Sequence, residues 1–398
     1  MVESPWLTGA LWIGLALAAS LISIRAGISV ALIEIGLGVV GGNFLGLTPT
    51  GWIDFLAGFG SLLLTFLAGA EIDPAALRKH WKPSLGIGAV SFLGPFLGTW
   101  AFSAWVLGWD PNASKIAGIA LSTTSVAVVY AVMIETGLNK QDIGKMILGA
   151  CFVTDLGTVL ALGVMFAHYD GWLAIFLGVS ALIMPFASKF TERFLMRFDG
   201  QVSEPEIKLL LLMLFLLGGL AVKAGSEAVL PAYVLGLVVA GAFARHRETV
   251  HHLRIATFAL LTPFYFLKAG GLVRLDAVAA GIGVIALLLL VKVATKFVGV
   301  LPMTRIFRMD RGTGTYTTLL MSTGLTFGTI SALFGLARGL ITPSEYSALV
   351  TVVIASAAVP TLIAQRHFRP RPPAMAVQSE DEALVLTERG SDVDPDSP

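Results

Sequence analysis

In the stretch CFVTDLGTVLALG (151–163), Asp155 has no opposite charge within several residues on either side. An ionisable group at mid-bilayer costs about 2.5–3.5 kcal/mol or more, so a residue kept there is a functional candidate by default. Helical spacing puts Cys151, Thr154, Asp155, Thr158 and Ala161 on or near one face, while Phe152, Val153, Leu156, Val159 and Leu160 cover the rest. A carboxylate on that small polar face, lining a water-accessible cavity, can hold a proton or a hard cation. One site with two mutually exclusive ligands is sufficient for exchange. The plain alternative is an aspartate that only bonds a neighbouring helix, a task Asn or Ser would do at lower cost.

The other ionisable residues inside apolar runs are Glu34, Lys268, Lys292 and Lys296; Glu71, Asp73, Glu135 and Glu227 fall at run ends, within reach of water. Lys292 and Lys296 are four apart and share a helix face. Snorkelling to an interface is the ordinary fate of a membrane lysine. For both at once it fails, because Arg305 marks the membrane edge nine residues beyond Lys296. At least one is expected to pair with a carboxylate or face the cavity. Lys268, six residues before Arg274, is read as structural.

Two stretches are poor helices. ALSTTSVAVV (120–129) collects Ser122, Thr123, Thr124 and Ser125; STGLTFGTIS (322–331) mixes Ser322, Thr323, Gly324, Thr326, Gly328 and Thr329. Small residues can serve tight helix packing. They also permit unwinding, which a membrane tolerates only where the freed backbone meets protein or a cavity. One such stretch lies in each half of the chain, next to the Asp155 run and next to the Lys292/Lys296 run. Broken spans in corresponding positions point to a transporter built of inverted repeats with a midplane site. Half-helix ends carry partial charge, positive at N-termini and negative at C-termini, and Asp155 with Lys296 is the natural pair to neutralise them.

These residues need a scaffold of crossing helices, and the composition supplies one. The chain has 398 residues, 56% hydrophobic and 13% charged, against roughly 25% charged in soluble domains. Apolar runs of about 20 residues, each able to cross the hydrocarbon, recur almost throughout. Thirteen spans are expected, at roughly 7–24, 28–46, 52–71, 84–108, 114–135, 143–168, 171–189, 207–223, 227–244, 256–273, 277–301, 313–337 and 344–366. With the N-terminus outside, cytoplasmic segments carry nineteen Lys and Arg residues, and the opposite loops carry only Lys115, Lys223, Arg274 and Arg338. The first run lacks a basic leader and reads as a retained span. A single cysteine, Cys151, excludes an intrachain disulfide, and a net charge of +1 argues against a nucleic-acid partner. Residues 1–368 are expected to form one membrane domain and residues 369–398, Pro-rich and then acidic, a short disordered cytoplasmic tail; no dinucleotide-binding fingerprint follows the spans, so no nucleotide-binding domain is expected.

The motifs resemble those of the cation:proton antiporter-2 family, its NapA/Kef-type branch, over roughly residues 10–366. FLAGAEID (66–73) is similar to the family's FLAGLEID. ISVALIEIGLGVVGGNFLGL (28–47) is similar to its P-x-x-x-G-E-x-x-A-G segment, with Glu34 at the family's Glu. ALSTTSVAVV resembles its unwound ALSSTSVAVV, LTPFYFLKAGGLVRLD its P-x-F-F-x-x-x-G-L-x-x-D segment, and TKFVGV its lysine region, favouring Lys296 over Lys292. The resemblance implies an all-α, NhaA-like fold with thirteen transmembrane helices, inverted repeats and two crossed discontinuous helices. It also implies core and dimerisation subdomains, a homodimer in a bacterial plasma membrane, and elevator-type alternating access. Asp155 matches the family's ion-binding aspartate. The residue before it is Asp, Asn or Gln across the branch, and here it is Thr154. A hydroxyl cannot ionise, so the resemblance leans to electroneutral exchange.

The reading is a secondary Na⁺/H⁺ antiporter, not an enzyme, with no cofactor beyond the transported Na⁺ or K⁺ and H⁺. Asp155 would bind the cation, with Thr154 and groups at Thr123, Thr124 and Ser125 completing an oxygen shell suited to a hard ion. Lys296 and Lys292 compensate charge, and Glu34, Ser322, Thr323 and Thr326 are further intramembrane polar groups. A K⁺/H⁺ antiporter or K⁺ efflux protein of the Kef type, and a Na⁺-coupled solute symporter of the same architecture, stay open. The symporter is disfavoured by a single mid-membrane aspartate. A membrane enzyme is disfavoured because the six histidines fall in loops or near span ends and no HExxH or GxSxG occurs.

Overall fold

The computed structural model describes residues 4–26, 29–70, 78–136, 138, 141–166, 171–198, 203–224 and 228–370. Glu71, Asp73, Glu227, His168 and the tail beyond Pro370 lie outside the described residues. The described chain is helical: α1 (Pro5–Ala26), α2 (Val30–Phe44), α3 (Gly51–Ala70), α4 (Trp81–Trp105), α5 (Pro111–Ser122), α6 (Val126–Glu135), α7 (Asp142–Phe166), α8 (Gly171–Phe198), α9 (Pro205–Lys223), α10 (Val229–Phe243), α11 (Arg247–Ala256), α12 (Thr262–Gly271), α13 (Leu275–Ala280), α14 (Ile282–Ile306), α15 (Arg311–Met321), α16 (Thr326–Ala337) and α17 (Pro343–His367). Among the described residues nine helical stretches are long and apolar enough to cross a membrane, with α15 and α16 counted as one of them. α2 and α10 are apolar but shorter. The run expected at 256–273 is not one regular helix: a π-helical turn, Thr257–Leu261, joins α11 to α12. α8 continues to Phe198, past the boundary expected near residue 189, because its last turns carry Lys189, Arg193 and Arg197 and leave the apolar layer.

The helices pack mainly as two groups. α1, α2, α3, α8, α9, α10 and α12 form one; α4 to α7 and α14 to α17 form the other, and α10 meets α7 where the groups touch. Close approach in the first group is set by glycine. A Cβ on Gly236 of α10 would overlap the Phe66 carbonyl of α3, and one on Gly270 of α12 would overlap the Ile35 carbonyl of α2.

A repeat runs through this arrangement. α4 and α14 are both 25 residues long, as are α7 and α17, while α2 and α10 are both 15. Each pair is offset by about 200 residues. The N-cap of α5 is Asp110, accepting from the Asn112 amide; that of α15 is Asp310, accepting from the Thr313 amide. The irregular segments after α5 and α15, 123–125 and 323–325, match as well.

Candidate functional site

Both expected breaks occur. α5 ends where Thr123 turns extended (φ −63°, ψ 155°), and α16 starts after Leu325 (φ −149°, ψ −76°). The exposed backbone of each break is satisfied by the other. The Ser125 amide donates to the Thr323 carbonyl (3.2 Å), and Thr124 Oγ1 donates to the Met321 carbonyl (2.9 Å). Gly328 sits against the first break, where a Cβ would lie 2.8 Å from the Ala120 carbonyl. The two interrupted helices therefore cross in contact, and a buried crossing is the condition under which unwound backbone is stable in a membrane.

Both lysines reach the crossing, and neither bonds a carboxylate among the described residues. Lys296 Nζ donates to Ser91 Oγ of α4 (2.7 Å), to the Ser122 carbonyl ending α5 (2.9 Å) and to Thr124 Oγ1 (3.1 Å). An ammonium is thus bonded to a terminal carbonyl at the negative end of a half-helix. Lys292 Nζ donates to Ser356 Oγ of α17 (2.9 Å). It also lies against the second break, where a Cβ on Gly324 would overlap it. Each break thus has its own lysine. Lys296 makes no ion pair with Asp155; its bonds go to Ser91, the Ser122 carbonyl and Thr124. Three neutral oxygens bind the Lys296 ammonium instead, which leaves the carboxylate unclaimed.

Asp155 lies on α7, 1% exposed, and its Oδ1 is buried with no hydrogen-bond partner. Such an orphan is costly unless the site takes a ligand. Thr154 is fully buried and donates to the Cys151 carbonyl of its own helix (2.6 Å); its lone pairs remain available as acceptors. Thr123 Oγ1 donates to the Ala120 carbonyl (3.1 Å), and Ser125 Oγ accepts from the Val128 amide (3.4 Å). In the second break Ser322 and Thr323 also turn their hydroxyls back on their helix, to the Thr318 and Leu320 carbonyls (2.8 Å each). Thr326 is the first residue of α16, half-buried.

The remaining polar residues separate from this cluster. Glu34 is buried, 3% exposed, on α2 in the other helix group. Lys268 forms an ion pair with Asp54 at 2.7 Å, away from the crossing. No group of three or more His, Cys, Asp or Glu side chains able to hold a metal occurs among the described residues. Three site residues carry no distinctive sequence signal: Ser91, Ser356 and Tyr233. Tyr233, on α10, donates its hydroxyl to the Phe152 carbonyl of α7 (3.0 Å). The offset of about 200 residues offers one clue, since it pairs Ser91 with Lys292 and Asp155 with Ser356.

Comparison with known proteins agrees with this architecture. Residues 13–367 match the family model for the transmembrane sodium/hydrogen exchanger. A probable Na⁺/H⁺ antiporter 3 of Methanocaldococcus jannaschii is 26% identical over 354 residues, covering 85% of this chain and 89% of that protein. The Na⁺/H⁺-K⁺ antiporter GerN of Bacillus cereus is 24% identical over 352 residues, covering 84% and 88%. Among solved structures, the sodium proton antiporter MjNhaP1 of Methanocaldococcus jannaschii superposes with a TM-score of 0.68 at 14% identity, over 91% of this chain and 98% of that one. The match spans nearly all the helices, both broken ones included, and this polytopic membrane protein belongs to the sodium/hydrogen exchanger family.

Proposed function

We propose that the protein is a secondary Na⁺/H⁺ antiporter whose single ion site is Asp155. The observation that carries the reading is a buried carboxylate oxygen without a partner, beside two helices that unwind and cross. Protonated Asp155 faces one side, releases its proton and takes a partly dehydrated cation. Thr154 and oxygens around Thr123, Thr124 and Ser125 complete the shell. Proton or cation neutralises the carboxylate before it crosses the apolar barrier, where an ionised, empty carboxylate is expensive. Lys296 and Lys292 balance the carbonyl ends of α5 and α15, and the N-termini of α6 and α16 begin directly after the two crossed breaks, where their positive ends favour an anion.

The two helix groups support a division into a moving core, α4 to α7 with α14 to α17, and a fixed dimerisation unit that makes an elevator. Matched helix lengths support an NhaA-like inverted repeat of thirteen spans. With the N-terminus outside, the chain places its positive charge at the cytoplasmic face of a bacterial membrane. The resemblance of its motifs supports the NapA/Kef-type branch. Thr154 lacks a second ionisable carboxylate, and Lys296 is held by neutral oxygens, so one proton moves per cation.

Cation-dependent dissipation of ΔpH in proteoliposomes tests the reading, with and without valinomycin in matched potassium. Na⁺ is expected to collapse the gradient equally in both conditions. A rate that changes with the clamp overturns electroneutrality, and no response to any monovalent cation overturns antiport. The GerN relative, named for both Na⁺ and K⁺, makes K⁺ the second cation to assay.

A further inference from the structure

A cavity of about 520 Å³ opens between the two helix groups, lined by Asp54 and Lys268 at its mouth and by Val229, Ile330 and Phe334 deeper in. It lies at the end of the molecule where α3 and α10 begin, the outer side in the proposed orientation. One helical turn below Val229 on α10 is Tyr233, and one turn below Ile330 on α16 is Phe327. The two rings meet edge to face with centroids 6.0 Å apart, at 87°. Both are buried, Tyr233 completely. The Tyr233 hydroxyl donates at 3.0 Å to the Phe152 carbonyl of α7, three residues before Asp155. Tyr233 thus touches both elements that border the site: by hydroxyl the helix carrying Asp155, and by ring edge the second interrupted helix.

Its mounting is rigid. The Tyr233 carbonyl packs so closely on Gly69 of α3 that a Cβ there would overlap it, and Gly236, one turn on, packs equally closely on Phe66. Tyr233 is the one polar side chain of α10. In the repeat it stands at the fifth residue of its helix, as Glu34 does in α2.

We propose that Tyr233 is the gating residue between the outer cavity and Asp155, its ring sealing against Phe327 and its hydroxyl latching α10 to α7. The inference rests on the antiporter reading for its purpose. In the closed state the ring pair keeps water and cations of the outer cavity from the carboxylate. Opening requires α7 to slide past α10, which breaks the Tyr233–Phe152 hydrogen bond in every cycle.

The chain's single cysteine, Cys151, lies one turn from Asp155 and is fully buried, so it reports access to the site without further engineering. Tyr233→Ala, reconstituted and shown to be folded by monodisperse elution, is treated from the outer side with a membrane-impermeant methanethiosulfonate. Modification of Cys151, read by mass spectrometry, is expected at least ten times faster than in the wild type; the wild-type rate overturns the gate. Tyr233→Phe keeps the ring and tests the latch in a protein whose packing is unchanged. Its Na⁺/H⁺ turnover is expected to rise at least threefold with KM for Na⁺ within twofold of wild type. Unchanged turnover, or a larger shift in KM, overturns the latch. Labelling does not depend on transport, so failure of all exchange would strike the antiporter reading and leave the gate to be decided by Cys151.

Discussion

At the residue scale the site is defined by what Asp155 lacks. Lys296, the natural counter-ion, is spent on Ser91, the Ser122 carbonyl and Thr124. Lys296→Met leaves that carbonyl and two hydroxyls buried without their donor, at about 1–3 kcal/mol for each orphan the surroundings cannot re-satisfy. The expected result is a clear drop in melting temperature in detergent together with lower exchange, checked by thermal-shift and proteoliposome assays. Thr154 makes a different prediction. Its hydroxyl bonds within its own helix and brings no second charge. Thr154→Asp is therefore expected to make exchange respond to the valinomycin clamp where the wild type does not. Asp155 and both lysines are legible in the sequence, because a charge in an apolar run has to be explained. Their partners are not: Ser91 and Ser356 are each one hydroxyl among several in their helices, indistinguishable by type from Ser103, whose hydroxyl bonds back into its own helix.

Among elements, hydroxyl and glycine clusters were sufficient to locate both breaks, since such residues combine weak helix propensity with tolerance of close packing. They do not say what the freed backbone bonds to. That answer, each break satisfying the other through Ser125–Thr323 and Thr124–Met321, requires the crossing itself. Nor does hydropathy register the π-helical turn at Thr257–Leu261, because a local winding change leaves composition untouched. The α3–α10 contact gives the element-scale prediction. Gly236→Ala forces a methyl into the Phe66 carbonyl, a backbone group that cannot swing aside. Overpacking of this kind costs about 1–3 kcal/mol, so a lower melting temperature is expected. Gly241→Ala on the same helix, which meets nothing within 4 Å, is expected to melt like wild type.

For the molecule as a whole, the two halves carry matched helices about 200 residues apart, yet opposite chemistry at matched places. Asp155 in the first half corresponds to Ser356 in the second, and Ser91 corresponds to Lys292. One half supplies an unclaimed acid and the other a lysine on a hydroxyl, so the polar centre is asymmetric although its scaffold repeats. Polytopic architecture was legible from composition alone; the grouping of helices was not, because it depends on which small-residue faces meet. If Asp155 carries the exchanged ions, Asp155→Asn must lose exchange. The comparison is made with wild type in proteoliposomes bearing a ΔpH, each protein shown to be folded by monodisperse elution. Na⁺ addition is expected to dissipate the gradient for the wild type and to leave it intact for the variant. Dissipation by Asp155→Asn at the wild-type rate would show that the exchanged ions bypass this carboxylate.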